Sequence, residues 1–176
     1  MKVEITRWKT NSKEDKHRKG SIKKCSVDIG YGDDWSVDWL IATIAVPLLK
    51  KLKETKQGSP FVDDEDVPEE LRSSSCPPKE NEWDTDANFH KRWEYALDEI
   101  IFAMEEIAND NANEPPFHTK VGEMNFLPID PDTNTGEIEF TGWESTPESE
   151  AAYRAYHKRI ENGCRLFGKY FTALRS

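Results

Sequence analysis

Four basic residues near the end of the chain, Arg154, Lys158, Arg165 and Lys169, recur at spacings that place them along one narrow stripe of a helix, with Asn162 at its edge. An arginine fork grips two phosphate or carboxylate oxygens at once and lysine adds a point charge, so the stripe has the chemistry of an anion site. Tyr156, Tyr170 and Trp93 supply the complementary half, because an aromatic face can stack a nucleobase. The expectation is a pocket for a small nucleotide-like anion. In it Arg165, Lys169 and either Arg154 or Lys158 hold phosphate, Trp93 or Tyr170 stacks the base, and Asn162 meets an edge or the ribose. The stripe also has a rival use. Asp63-Asp-Glu-Asp66 carries a run of carboxylates, and pairing with that segment inside the molecule would consume the positive charge.

The other candidate chemistry is weaker. Asp130-Pro-Asp132-Thr-Asn134-Thr-Gly136 sets oxygen ligands at alternate positions, as the opening of a calcium loop does. Its glycine comes one residue late, and Thr141 stands where an EF-hand has its bidentate glutamate, so a turn held by Asx hydrogen bonds is the better reading. Asp63–Asp66 has the oxygens for Mg²⁺, yet no second motif accompanies it. His17, His90, His118 and His157 are dispersed, with no HExxH and no zinc spacing, although His90 and His157 lie on two helices that would pack together. There is no glycine-rich phosphate loop, GxSxG elbow or Rossmann fingerprint. Carboxylates are so plentiful that no pair singles itself out as catalytic. The sequence therefore assigns no catalytic residue, metal or cofactor and leans away from an enzyme. A metal-dependent hydrolase on Asp63–Asp66 or on 130–134 is the last of the readings.

The basic stripe needs a helix to carry it, and that helix has the clearest start signal in the chain. Thr146 is its N-cap, Pro147 takes the first helical position, and Glu148 and Glu150 lie in the first turn. It is expected to run to the end of the chain, with Tyr153, Tyr156, Ile160, Cys164, Phe167, Phe171 and Leu174 on its apolar side. Gly163 and Gly168 weaken it, which suggests close approach of another backbone or a ligand. A second helix is expected over about 86–109, since Phe89, Trp93, Leu97, Ile100, Met104 and Ile107 fall on one stripe. A third, over about 36–55, has Ser36 as N-cap, Lys50, Lys51, Lys53 and Lys56 at its negative end, and Gly58 beyond it. Alternation predicts strands at 2–8 and 21–29, forming a hairpin, and at 121–127 and 137–141, forming another. Residues 11–20 read as a basic loop. Residues 59–81 read as an acidic, proline-containing linker with a helical turn at 68–71 that wraps the surface.

Composition bounds the setting. The 176 residues suit one domain over 1–176, with a basic N-terminal hairpin or arm (1–32). Six Trp, eight Phe and five Tyr supply the core. The fold class expected is α+β: three main helices around a Trp-rich core, with one or two small antiparallel hairpins. The net charge of −10 is the sum of +5 over residues 1–32, −20 over 33–150 and +5 over 151–176. Such a body repels nucleic acid and anionic membranes in bulk. Three scattered cysteines, Cys25, Cys76 and Cys164, fit reduced thiols. The apolar run from Trp39 to Leu49 is too short to span a bilayer, and no apolar signal region follows Met1, so a soluble cytoplasmic protein is expected.

Three segments together carry a resemblance: Trp35-Ser-Val-Asp-Trp-Leu40 with Pro47-Leu-Leu-Lys50; the stretch from Gly58 to Arg72 followed by Glu82-Trp-Asp84; and the stretch from Arg159 to Tyr170. The chain resembles a family of small, functionally uncharacterised proteins of tailed bacteriophages. The resemblance implies a role in the host cytoplasm, either sequestering a nucleotide signal of antiphage defence or inhibiting a host protein. Proteins of the first kind are typically homo-oligomers with basic and aromatic pockets at subunit contacts, and the closing helix would suit such a pocket. The alternative is an acidic inhibitor that mimics nucleic acid and occupies a basic groove of a host protein, for which the charge of residues 33–150 supplies the steering.

Overall fold

The computed structural model describes residues 2–7, 22–28, 30–32, 35–128, 132 and 135–175. The basic loop expected at 11–20, and most of the calcium-like turn at 130–136, lie outside them. The chain divides into two compact units, Met1–Ile41 and Ala42–Ser176. In the first, β1 (Lys2–Arg7) and β2 (Ile22–Asp28) form the expected antiparallel hairpin, with Lys2 opposite Asp28, Ile5 opposite Cys25, and a register shift between Thr6 and Arg7. Helix α1 (Val37–Thr55) begins in this unit and ends in the second.

The second unit holds α2 (Phe89–Ala108), β3 (Glu123–Phe126), β4 (Ile138–Thr141) and α3 (Pro147–Lys169). With three α-helices and two-stranded antiparallel sheets among the described residues, the fold is α+β. Helix α2 is its centre. Trp93, Leu97 and Ile100, three members of the stripe read from the sequence, are fully enclosed, and Ala96, Ala103 and Met104 widen the buried face. The helix starts about one turn later than its pattern suggests. Asp86, just before it, turns its carboxylate onto the Asn88 amide at 2.9 Å and so holds the entry as a side-chain turn. Leu49 and Ala42 of α1 pack into the same core, as do Leu166 and Tyr170 at the end of α3.

Charge fixes the orientation of α1 against α2. Lys50, Lys53 and Lys56 pair with Glu105, Asp98 and Glu94, descending one helix as they ascend the other. The lysines that suit the dipole of α1 thus neutralise much of the acidity of α2.

Helix α3 begins as expected. The Ser149 amide donates to Thr146 Oγ1 at 3.2 Å, while the Thr146 amide donates to Ser149 Oγ at 3.1 Å. It ends at Lys169, short of the chain terminus, and passes into a 3₁₀ turn at Phe171–Ala173. Gly163 brings it against α2: a Cβ there would sit 2.4 Å from the Glu99 carbonyl oxygen and 2.5 Å from Ala103 Cβ. Gly168 has open space around it, so close approach belongs to Gly163 alone of the two.

The linker is more deeply embedded than its composition suggests. It makes 3₁₀ turns at Asp64–Asp66, Glu69–Leu71 and Ser73–Ser75, and it plugs Val62, Asp66 and Val67 into the interior. The second hairpin pairs Met124 with Phe140 and Phe126 with Ile138, which puts four apolar side chains on one face. Glu123, Asn125, Glu139 and Thr141 occupy the other face.

Candidate functional site

The basic stripe meets the acidic linker. Arg165 donates to Asp66 Oδ1 at 2.6 Å, and Lys169 reaches Asp66 Oδ2 at 2.6 Å, Asp63 Oδ2 at 2.7 Å and Glu65 Oε1 at 3.2 Å. The Tyr170 hydroxyl donates to Asp66 and accepts from the Asp63 amide at 3.1 Å. The Asp66 side chain is only 1% exposed, so a buried carboxylate is met by cations whose own side chains stay partly exposed. Burial alone would push its carboxyl up. Hydrogen bonds from Lys169, Tyr170 and Arg165 outweigh that and hold it below the ordinary carboxylate range. The hydrogen bonds that Lys169 donates to Asp63 and Asp66 raise it far above an ordinary lysine. Tyr170 is pushed up to about 12, first by burial and then by its bond to Asp66.

The remaining residues of the expected pocket do not converge on an open space. Asn162 accepts from Arg165 at 2.9 Å. Arg154 pairs with Glu150 one turn back on its own helix, and Lys158 stands exposed. Trp93 is 1% exposed, and its ring meets the edge of Tyr170 at 6.0 Å between centroids. Trp93 and Tyr170 are therefore core residues in this arrangement, with no free face for a base. The physical reason is that Trp93 lies mid-stripe on the most buried helix. The histidines go separate ways too: His90 meets Ser59 at 3.0 Å and His157 meets Glu114 at 2.7 Å.

Three polar pairs, each with one buried member, were not singled out from the sequence. Arg159 of α3 forks onto Glu99 of α2, with contacts from 2.7 to 3.1 Å, and its guanidinium lies 3.7 Å from the centroid of Phe102. Tyr156 donates to Glu106 at 2.6 Å, and Asn113 donates to the other oxygen of that carboxylate. Arg92 grips Asp86 bidentately at 2.9 and 2.6 Å, with the Cys76 thiol 3.3 Å from the same carboxylate. The one available signal was the presence of Arg92, Glu99, Glu106 and Arg159 next to stripe positions, where a charge must find a partner.

The last pair borders an open cleft of about 390 Å³, lined among others by Phe61, Asp64, Ser73, Cys76, Asp86 and Arg92. Its carboxylates are already used, while Lys79 also lines it. Asp64 is bound by the Ser73 amide and hydroxyl, and Asp86 by Arg92 and Cys76. Among the described residues no group of three or more His, Cys, Asp or Glu is placed to hold a metal ion. Nor is any of their helices long and apolar enough to cross a membrane.

A different surface stays unsatisfied. Met124, Phe126, Ile138 and Phe140, on one face of the β3–β4 hairpin, are 49%, 73%, 48% and 62% exposed. Glu123, Glu137 and Glu139, on the same strands or at their edge, pair with no cation among the described residues. A free apolar ladder backed by unpaired carboxylates on the opposite face of the hairpin is the most conspicuous unspent chemistry of the second unit. Comparison with known proteins adds no relative: no family model, no curated protein and no solved structure matches the chain.

Proposed function

We propose that this chain is a protein-binding module whose acidic, partly apolar surface engages a partner with a basic, partly apolar one. The observation that carries the reading is the exposed ladder of Met124, Phe126, Ile138 and Phe140. A two-stranded hairpin is marginal in water on its own, and an apolar face of this kind gains most from being covered. The net charge of −10 gives the chain an electrostatic reach that speeds encounter with a basic partner and repels acidic ones. The resemblance to small bacteriophage proteins makes a host protein the partner to seek. The nucleotide-binding alternative draws less support, because Arg165 and Lys169 hold the chain's own carboxylates while Trp93 and Tyr170 lie in the core.

The test is capture from bacterial lysate by the wild-type chain and by a Phe126→Glu, Phe140→Glu double variant, each washed over a series of salt concentrations. The expected result is a stoichiometric partner kept by the wild type at low salt, released at high salt and not kept by the variant. If whatever binds is indifferent to both salt and the double substitution, the reading is wrong.

A further inference from the structure

Next to the ladder, three aromatic rings form a corner. The Trp143 ring lies 4.9 Å from His118 at an interplanar angle of 67°, and 6.3 Å from Phe140 at 73°. The three line an open, largely apolar cavity of about 380 Å³. Phe140 belongs to both features, so the ladder and the corner are one continuous surface.

The chemistry of the corner selects its guest. It presents ring faces and almost no hydrogen-bonding groups; His118 Nδ1 is buried and has no partner in the protein. An anion or a strongly hydrogen-bonding ligand would lose its water there and gain little. A cation keeps a favourable interaction, because aromatic faces carry negative quadrupole charge. The surroundings act in the same direction. Glu123, Glu137 and Glu139, which lie behind the ladder on the other face of the same hairpin, carry no paired cation among the described residues, and the nearby Lys120 is held by Glu144 at 2.7 Å. The corner therefore lacks a positive charge of its own while its neighbourhood favours one.

Resting on the protein-binding reading, we propose that the His118–Phe140–Trp143 corner receives an arginine or lysine side chain of the partner, whose flanking apolar residues cover the ladder. The partner is thereby defined chemically: an extended segment in which a basic residue has apolar residues two positions away on either side, so that all of them share one face. That spacing matches the ladder, since Met124, Phe126, Ile138 and Phe140 themselves sit at every second strand position. The corner then acts as the anchor pocket, and the ladder as the surface that excludes water around it.

The experiment uses the full chain, labelled with ¹⁵N, and follows the indole N–H signal of Trp143, assigned with Trp143→Phe. The probes are two capped peptides in which a single arginine, or a single citrulline, has valine two positions away on either side and serine between, so that they differ in charge but hardly in shape. The expected result is a shift of the Trp143 signal by the arginine peptide, with affinity about tenfold above that of the citrulline peptide. That advantage should shrink in high salt and vanish in Phe140→Leu, whose folding the same spectrum reports. Equal affinities for the two peptides overturn the cation pocket, and so does a Trp143 signal that neither peptide moves. The capture experiment with Phe126→Glu, Phe140→Glu decides the broader reading separately, since it needs no preference for a cation.

Discussion

At the scale of single residues, the enclosed carboxylate of Asp66 depends on its donors. Once out of water it is tolerable only while Arg165, Lys169 and Tyr170 supply charge and hydrogen bonds. Asp66→Ala leaves a buried phenol and two cations short of their acceptor, and a loss of about 3 kcal/mol in urea denaturation is expected. Lys169→Ala removes one of three donors from a side chain that is 30% exposed, and should cost less. Arg154→Ala, which breaks only an exposed pair within a turn, should change stability by under about 0.5 kcal/mol. If Asp66→Ala is as mild as Arg154→Ala, the cluster is not structural and its cations are free for another use. Both uses of the basic stripe were legible in the sequence, a bound anion or the acidic linker. What could not be read was which residues lie inside. Tyr170 and Trp93 look the same on a helical wheel whether they face a ligand or the core; burial comes from how the linker closes over the end of α3.

At the scale of elements, two glycines that look alike in sequence diverge. Gly163 lets α3 approach the Glu99 carbonyl and Ala103, where a Cβ would meet atoms at 2.4 and 2.5 Å, whereas Gly168 has nothing within 4 Å. Gly163→Ala must therefore part the two helices and should destabilise by about 2 kcal/mol or more. Gly168→Ala meets no obstacle and should stabilise by up to about 1 kcal/mol through helix propensity. Matched thermal melts of the two variants check this, and opposite signs are the expected outcome. The helices, the Thr146 cap and the pairing of β3 with β4 followed from periodicity and capping chemistry, because those signals are local. The contacts that join the elements did not. Arg159 and Glu99 are 60 residues apart, Lys56 and Glu94 are 38 apart, and nothing in either segment names the other. The ladder on the hairpin was visible as alternation in Ile138 and Phe140, yet alternation tells which residues share a face and not whether anything covers it.

At the scale of the whole molecule, the buried pairs give a pH dependence whose sign follows from their direction. Asp66, Asp86 and Glu106 all titrate below their ordinary range in the folded protein. Burial opposes this in each case and is outweighed: at Asp86 the bond from Arg92 is the largest influence, and at Glu106 bonds from Tyr156 and Asn113 overcome the burial. A group depressed on folding stabilises the folded state above its unfolded pKa, near 4 for carboxylates, and loses that contribution as the pH falls through the folded value. Stability should therefore decline below about pH 4, with uptake of protons on unfolding. Tyr95, Tyr156 and Lys169, all raised on folding, contribute to the opposite limb together with Tyr170. The Tyr170 phenol is raised to about 12 on folding, so its contribution is complete below its unfolded value near 10 and disappears as the pH rises through about 12. Urea midpoints measured across pH should form a plateau between about pH 5 and pH 10 with a falling limb on each side. Tyr170→Phe should make the alkaline limb shallower, since it removes one titrating phenol, and should also weaken the acid limb, since it removes a donor that holds Asp66 low. An alkaline limb unchanged by that substitution would mean that ionisation elsewhere, and not the phenol locked onto Asp66, opens the molecule at high pH.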